Sequence, residues 1–184
     1  MSIIIGSQVR FNKEEQLLGS VTEAINDGAN TFMIYTGSNQ STDRFDIDEN
    51  INSKAHKLML ENNIDIKNVI VHAPFIINLA NNLDERKYNF YISFLRKEIE
   101  RCKILGIKNL VFHPGSATTL ESSVALKNVV NGINHVMNGI EDFNLLVEFM
   151  SGKGSEVGRN IEELKYIFDN VNCRDKLGVC LDTC

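Results

Sequence analysis

Short apolar runs recur along the chain, and polar residues follow each of them. The runs lie near 2–8, 31–36, 68–73, 109–114, 144–149 and 177–183. Longer segments with helical spacing of apolar residues separate them, and the segment 84–105 is the clearest example. Strands that alternate with helices pair in parallel through crossover connections, so the pattern predicts an α/β fold.

Residue types that end helices support this assignment. Gly28 and Gly106 follow helical patterns, at the position where a glycine adopts the positive φ of a C-terminal cap. Asn160 precedes the segment IEELKYIF and is predicted to be an N-cap, because its side chain can accept hydrogen bonds from the first free amides. No linker or low-complexity segment divides the chain, so residues 1–184 are predicted to form one domain.

Four strands end on residue types that bind metals or transfer protons. These residues are His72, His113, Glu148 and Asp182. Their spacing suits one strand, one loop and one helix per repeat. Because the carboxyl ends of parallel strands share one edge of a sheet, the four side chains are predicted to converge.

Two architectures compete for this pattern, an open doubly wound sheet and a closed (β/α)8 TIM barrel. The first strand-to-helix turn, GSQVRFNKEEQLLGS, contains neither the GxGxxG fingerprint nor a P-loop, so it lacks the signal of a nucleotide-binding open sheet. A barrel brings all strand ends to one mouth, which explains the repeated site residues. Because such a barrel takes roughly 250 residues and eight strands, the six strands here are predicted to be part of a longer one.

Composition and charge narrow the function only slightly. The hydrophobic fraction of 43% is typical of a globular domain, and no apolar run approaches the roughly 18 residues of a membrane helix. We therefore expect a cytoplasmic protein with no membrane partner. The four cysteines form no CxxC pair and are interpreted as reduced thiols. The net charge of -5 argues against a polybasic coat, although metal ions can supply positive charge to a nucleic-acid enzyme.

The four strand-end residues form a recognisable ligand set. Two imidazoles and two carboxylates suit zinc, manganese or iron. A carboxylate such as Glu148 can bridge two ions, and paired ions about 3.5 to 4 Å apart can clamp a phosphodiester. His56 and His135 lie within helical patterns, so we interpret them as structural or surface groups.

Polar loops follow several of the strands. The loop 36–42, TGSNQST, offers groups able to hydrogen-bond a nucleic-acid backbone or base edge, and Pro114, Gly115 and Ser116 follow His113. The segment FMSGKGSEVGR after Glu148 is glycine-rich and precedes a helix, so two interpretations stay open: its amides and Lys153 face a phosphate, or it is a mobile surface loop. The loops 37–42, 73–79 and 150–158 are predicted to surround the site.

Four segments carry a family resemblance. They are VHAPFIINLA (71–80), GIKNLVFHPGS (106–116), the Glu148 strand followed by SGKGS, and GVCLDTC (178–184). In this order and spacing they resemble the endonuclease IV family, the zinc-dependent apurinic/apyrimidinic (AP) endonucleases of base-excision repair. The resemblance implies a (β/α)8 barrel with three zinc ions. It also implies hydrolysis of the phosphodiester 5′ to an abasic site, leaving a 3′-hydroxyl.

The resemblance also implies a role for each site residue. His72 and His113 would ligate one zinc, Glu148 would bridge that ion to a second as the catalytic carboxylate, and Asp182 would ligate the second ion. The family pattern continues with a histidine and with further ligands in two more strands, so the resemblance implies a chain cut at its C-terminus. At most one or two of the zinc sites would be partly present, and this chain alone is expected to be inactive.

The partner implied by the resemblance is double-stranded DNA that contains abasic sites, bound by a monomer. The residues expected to contact it are Gln8, Asn39, Gln40, Phe75, Ser116 and Lys153. The chain departs from the family pattern at Gln8, which replaces a histidine, at Phe75, which replaces a tyrosine, and at Phe149 and Met150, which replace an Asn-Thr pair. Such losses of polar groups around a metal cost about 10- to 100-fold in affinity or activity.

Two alternative functions fit the same residues. A metal-dependent sugar isomerase or epimerase also gathers His, Glu and Asp at barrel strand ends, although HPGS and DTC favour the nuclease. A non-catalytic, vestigial DNA-binding fragment would keep half of the site. The number of metal ions bound separates the enzyme from the vestigial protein.

Overall fold

The computed structural model describes residues 3–182. Six strands alternate with five α-helices in the order β1, α1, β2, α2, β3, α3, β4, α4, β5, α5, β6. The strands are Gly6–Gln8, Thr31–Ile34, Ile70–His72, Asn109–Phe112, Asn144–Phe149 and Leu177–Leu181. The helices are Gln16–Asn26, Glu49–Glu61, Glu85–Leu105, Ser122–Met137 and Ile161–Asn170. Two short 3-10 helices, Ile66–Asn68 and Arg174–Lys176, precede β3 and β6.

All six strands lie in one parallel sheet in sequence order, β1 to β6. The α/β prediction is therefore confirmed, and every predicted strand is found within a few residues of its expected bounds. The predicted last strand ran to residue 183, which lies outside the described residues, as does Cys184. Within residues 3–182, β1 pairs with β2 alone and β6 pairs with β5 alone, so these two strands are the edges of the sheet.

The first strand is shorter than predicted, because it begins at Gly6 and not near residue 2. Before Gly6, the side chain of Asn30 provides hydrogen bonds in place of regular strand pairing. Its Oδ1 accepts from the amide of Ile5 at 2.8 Å, and its Nδ2 donates to the carbonyl of Ile3 at 2.8 Å. The carbonyl of Ile3 and the amide of Ile5 therefore find their partners in one side chain before regular pairing starts.

The central strands are buried on both faces, which explains their almost uninterrupted apolar sequence. Leu110, Val111 and Phe112 of β4 are all fully buried. Helices α3 and α4 pack on the sheet with fully buried side chains such as Leu95 and Val129. The core thus holds β3, β4 and β5 rigidly, and these strands position the candidate site.

The predicted helix ends are confirmed. Asn160 caps α5, because its side chain accepts from the amide of Glu163 at 2.8 Å. Gly106 ends α3 with φ of 80°, which is the left-handed conformation that glycine adopts at low cost. None of the helices within residues 3–182 combines the length and the apolar character that crossing a bilayer requires.

Candidate metal centre

Parallel pairing brings His72, His113 and Glu148 to one edge of the sheet. His72 is the last residue of β3, and it pairs in register with Val111 of β4. His113 directly follows β4, and Glu148 lies near the end of β5. The carboxyl ends of three neighbouring strands therefore present these three side chains side by side, as the strand register predicted.

The three side chains meet at one carboxylate oxygen. Glu148 Oε2 lies 2.8 Å from His72 Nε2 and 3.1 Å from His113 Nε2. One ligand atom from each of the three residues lies within 4.8 Å of the other two. The side chains of His72 and Glu148 are only 7% and 10% exposed, so the group is largely shielded from water.

A backbone carbonyl orients the ring of His72. Its Nδ1 lies 2.6 Å from the carbonyl oxygen of Ala73, and a carbonyl can only accept a hydrogen bond. Nδ1 therefore carries a proton, which leaves Nε2, the ring nitrogen that faces Glu148, as the atom that would bind a metal ion once it gives up its own hydrogen bond to the carboxylate. A hydrogen bond from the second nitrogen is how proteins fix a metal-binding imidazole.

The histidines keep Glu148 ionised despite its burial. Burial by itself raises the pKa of this carboxyl. Hydrogen bonds from His113 and His72 and their positive charge outweigh burial and lower the pKa of Glu148 to about 2. Glu148 is therefore a carboxylate at neutral pH and can act as an anionic ligand.

Two aromatic side chains form one wall of the group. The ring of Tyr35 lies 5.1 Å from that of His72, and the ring of Phe75 lies 5.6 Å from His72 and 5.2 Å from His113. Tyr35 was not predicted from the sequence, although it directly follows β2 and so lies at the same strand edge. Burial, with a contribution from the charge of Glu148, raises the pKa of Tyr35 to about 12, so its phenol is neutral.

This donor set fits a divalent metal ion. Two imidazole nitrogens and one carboxylate oxygen form a three-residue set that is found in catalytic zinc sites. Ligation would replace the hydrogen bonds that now join the two rings to Glu148. His56 and His135 are not part of this group: His56 bonds the carbonyl of Leu105 at 2.8 Å, and His135 is exposed on α4. Their interpretation as structural or surface groups is consistent with these positions.

The sequence profile of the xylose isomerase-like TIM barrel family matches residues 21–184. The chain belongs to this family. Among curated relatives it is 46% identical over 183 residues to a probable endonuclease 4 of Mycoplasma mycoides subsp. mycoides. It is 42% identical over 182 residues to a probable endonuclease 4 of Staphylococcus saprophyticus. The resemblance to endonuclease IV inferred from the sequence motifs is thereby confirmed.

The match covers 99% of this chain but 63% and 61% of those two relatives, so the chain spans less than two thirds of their length. This chain also covers less than two thirds of two solved structures that it resembles. Endonuclease IV of Thermus thermophilus aligns with a TM-score of 0.79 at 24% identity, over 98% of this chain and 63% of that one. A D-tagatose 3-epimerase-like protein aligns with a TM-score of 0.72 at 20% identity, over 97% and 65%. These structural similarities show the TIM-barrel fold alone.

Asp182, the fourth predicted ligand, lies outside the three-donor group. It follows β6, whose register places Cys180 beside Glu148, so Asp182 lies at the same edge of the sheet as the group. Its side chain is exposed. Together Glu148 and Asp182 contribute to raising the pKa of the Cys180 thiol, after the larger effect of burial. The role of Asp182 as a ligand stays a prediction.

The residues predicted to contact DNA lie in the loops near the metal centre or at the end of β1. Gln8, Gln40 and Lys153 are exposed, and Phe75 is 47% exposed beside the two histidines. The amide of Phe75 donates to the carbonyl of Asn39 at 3.0 Å, which joins the 37–42 loop to the 73–79 loop. Ser116 Oγ lies 2.6 Å from Ser155 Oγ. The predicted loops thus contact one another, while their contact with DNA stays a prediction.

The glycine-rich loop differs from the prediction that its amides face a phosphate. The amides of Gly152 and Lys153 donate to Glu156 Oε2 at 3.0 and 2.8 Å. Those of Gly158 and Arg159 donate to Glu163. The prediction assumed that these amides are free, because a sequence does not show which side chains bond the amides of a loop. Carboxylates of the chain itself thus already satisfy four of the amides that the hypothesis offered to a ligand, and Lys153 contributes an exposed ammonium.

Gly115, next to the metal centre, cannot carry a side chain without disrupting its neighbours. Its φ is +110°, and a Cβ built there would lie 2.1 Å from Asn78 Oδ1. That oxygen accepts from the amides of Ser116 and Ala80, each at 3.0 Å. A methyl group at this position must therefore displace a side chain that fixes two loops.

We expect Gly115→Ala to lower the free energy of unfolding by about 2 kcal/mol or more, because backbone strain and overpacking act together. Gly139→Ala is the matched control, since Gly139 also has a positive φ of 73° but a Cβ there meets no atom within 4 Å. This control should lose only about 1 kcal/mol. Urea unfolding followed by circular dichroism measures both values, and equal losses would contradict a specific clash with Asn78.

Proposed function

We propose that this chain carries the first part of the active site of a zinc-dependent DNA-repair endonuclease of the endonuclease IV type. The proposed reaction is hydrolysis of the phosphodiester 5′ to an apurinic or apyrimidinic site, leaving a 3′-hydroxyl, in the cytoplasm. The observation that carries the proposal is the convergence of His72 and His113 on Glu148. The 46% identity to a probable endonuclease 4 supports this function over the isomerase alternative.

In this proposal His72, His113 and Glu148 hold the first zinc ion, and Glu148 and Asp182 contribute to a second. A divalent ion at such a site supplies Lewis-acid polarisation of the phosphodiester and neutralises the charge that develops during its hydrolysis. The carbonyl of Ala73 holds a proton on Nδ1 of His72, so Nε2 is the nitrogen that would be aimed at the ion. The low pKa of Glu148 means that ion binding there does not have to displace a proton.

The aromatic wall has a separate role in this proposal. Tyr35 and Phe75 restrict water at one side of the histidines, and a lower local dielectric strengthens every charge interaction with the substrate phosphate. Phe75 is partly exposed, so its ring is available to stack on an unpaired base or to fill the gap left by a missing one. Gln40 and Lys153, both exposed on loops, are proposed to contact the DNA backbone.

A chimera tests the proposed reaction. In it, residues 1–182 of this chain are continued by the remaining segment of the Mycoplasma mycoides relative, with which this chain shares 46% identity. We expect the zinc-loaded chimera to incise a duplex that contains one tetrahydrofuran abasic analogue on its 5′ side. The product should carry a 3′-hydroxyl that a DNA polymerase can extend.

Three results would contradict the proposal. One is a folded, zinc-loaded chimera that leaves the duplex intact, and another is cleavage on the 3′ side of the abasic position. The third is epimerisation of a ketose in place of incision, which would favour the sugar isomerase alternative. An intact duplex without the abasic analogue serves as the control substrate, because metal-dependent nucleases of other types would also cut it.

A further inference from the structure

A buried carboxylate outside the metal centre connects helix α3 to a surface loop. Glu98 of α3 is fully buried. Its Oε1 accepts from Arg44 Nε at 2.8 Å, and its Oε2 accepts from the hydroxyl of Thr36 at 2.8 Å. A buried charge is costly unless it is paired and hydrogen-bonded, and Arg44 and Thr36 supply these partners to Glu98.

Its partner Arg44 organises the loop between β2 and α2, residues 35–48. Nη1 of Arg44 donates to the carbonyls of Ser38, Ser41 and Asp43 at 3.3, 3.1 and 2.8 Å. The guanidinium also lies over the ring of Phe94 at 5.0 Å. One arginine, oriented by Glu98, therefore gathers three carbonyls of a loop that has no regular secondary structure of its own.

A second arginine, Arg101 of α3, bonds the chain near both ends of the same loop. Arg101 Nη2 donates to the carbonyl of Thr36 at 2.9 Å, and its Nη1 donates to the carbonyl of Phe45 at 2.8 Å. Its Nε donates to the hydroxyl of Thr36 at 3.2 Å, and that hydroxyl donates in turn to Glu98. Glu98, Arg44, Arg101 and Thr36 thus form one network between α3 and the 35–48 loop.

The network also reaches the metal centre. Thr36 directly follows Tyr35, whose ring packs against His72. The same loop carries Asn39, which is joined to the amide of Phe75, and the exposed Gln40. A change at Glu98 is therefore transmitted to the loop that faces the proposed DNA partner. The three donors lie in β3, directly after β4 and in β5, and they bond one another instead.

We propose that Glu98 is a positioning residue that holds the 35–48 loop in the conformation that binds abasic DNA. The proposal rests on the proposed function for its ligand, but the ordering of the loop is measurable without DNA. If Glu98 loses its charge, Arg44 no longer has an anionic partner and its three bonds to loop carbonyls weaken. The loop then samples other conformations, and DNA binding must select the competent one.

Two variants test the proposal on the 184-residue chain. Glu98→Gln removes the charge and preserves the volume of the side chain. Arg44→Lys keeps a cation beside Glu98 but loses the guanidinium that reaches three carbonyls, so the buried charge stays compensated and the chain keeps its fold. Glu100→Gln is the control, because Glu100 lies on the same helix with a 62% exposed side chain, paired with Lys103.

Hydrogen exchange of backbone amides in 37–46 is the first measurement, and anisotropy with a fluorescent abasic-analogue duplex is the second. We expect both variants to exchange faster in 37–46 by about tenfold or more, with α4 and β4 unchanged, as in local opening. DNA affinity should fall by about tenfold, since each tenfold loss equals about 1.4 kcal/mol. Zinc affinity should stay within about twofold of wild type, because the substituted residues are not among the hydrogen-bond partners that orient the three donors.

The possible outcomes are distinct. Unchanged exchange in 37–46, or equal acceleration throughout the chain, would overturn the positioning role. Faster exchange confined to 37–46 with unchanged DNA affinity would also overturn it. If the wild-type chain shows no preference for the abasic duplex, the proposed function fails on this measurement, whereas the exchange data still decide whether Glu98 orders the loop.

Discussion

Glu148→Gln is expected to abolish specific metal binding by the group of His72, His113 and Glu148. We expect the zinc affinity of the variant to fall by about 100-fold or more, because even the loss of an outer hydrogen-bond partner costs about 10- to 100-fold. Glutamine keeps the size of the side chain and an oxygen that accepts from the imidazoles. It lacks the charge that the low pKa of Glu148 maintains at neutral pH. Isothermal titration with zinc measures the change.

The same substitution in the chimera should remove nearly all incision while leaving part of the affinity for abasic DNA. The reason is that the metal group is proposed to perform the chemistry, whereas the loops are proposed to supply most contacts to the DNA backbone. Glu141→Gln is the control, since Glu141 is exposed and pairs with Lys176, and both residues precede their strands, at the end of the sheet opposite to the metal centre. Zinc affinity within tenfold of wild type, or incision within tenfold, would show that Glu148 is not a ligand.

The sequence predicted the three-donor group because one simple rule connects pattern to position. Parallel strands in sequential order place their carboxyl ends on the same edge, so residues that end strands become neighbours. That rule alone predicts that His72, His113 and Glu148 lie close together, without any knowledge of side-chain packing. The same rule places Asp182 at this edge of the sheet. Its exposure, however, depends on what packs beside β6, and the strand pattern does not contain that information.

Other features of the site depend on contacts that no spacing encodes. Tyr35 joins the aromatic wall because the ring of His72 faces β2, and a tyrosine after an apolar strand is otherwise an ordinary core residue. Glu98 lies in a helix rich in charged residues, and its burial follows from the arrangement of α3 on the 35–48 loop. Glu156 accepts hydrogen bonds from two amides of the glycine-rich loop, and these contacts form only in the folded chain.

The 184-residue chain by itself is expected to show no metal-dependent incision of abasic duplex DNA. Its described residues form one group of three donors, which is enough for one ion. A clamp on the attacking and leaving oxygens of a phosphodiester takes at least two ions, about 3.5 to 4 Å apart. Asp182 adds one more carboxylate near the edge, so within residues 3–182 a second ion would have two protein ligands, Glu148 and Asp182. Binding of about one zinc, at the low end of zinc-site affinity, is the expected limit, because zinc sites have three or four protein ligands and the second ion would have two.

The edges of the sheet supply a second, independent reason. Val179 and Leu181 on β6 are 41% and 71% exposed, and Ile3, Ile4 and Ile5 before β1 are more than half exposed. Unpaired, apolar strand edges favour association and lower stability. Incubating the purified chain with zinc and an abasic-analogue duplex tests the expectation, with a Glu148→Ala chain as the control for contaminating nucleases. Because contaminants cannot depend on Glu148, incision that the wild-type chain performs and the control does not would show that these residues suffice for catalysis.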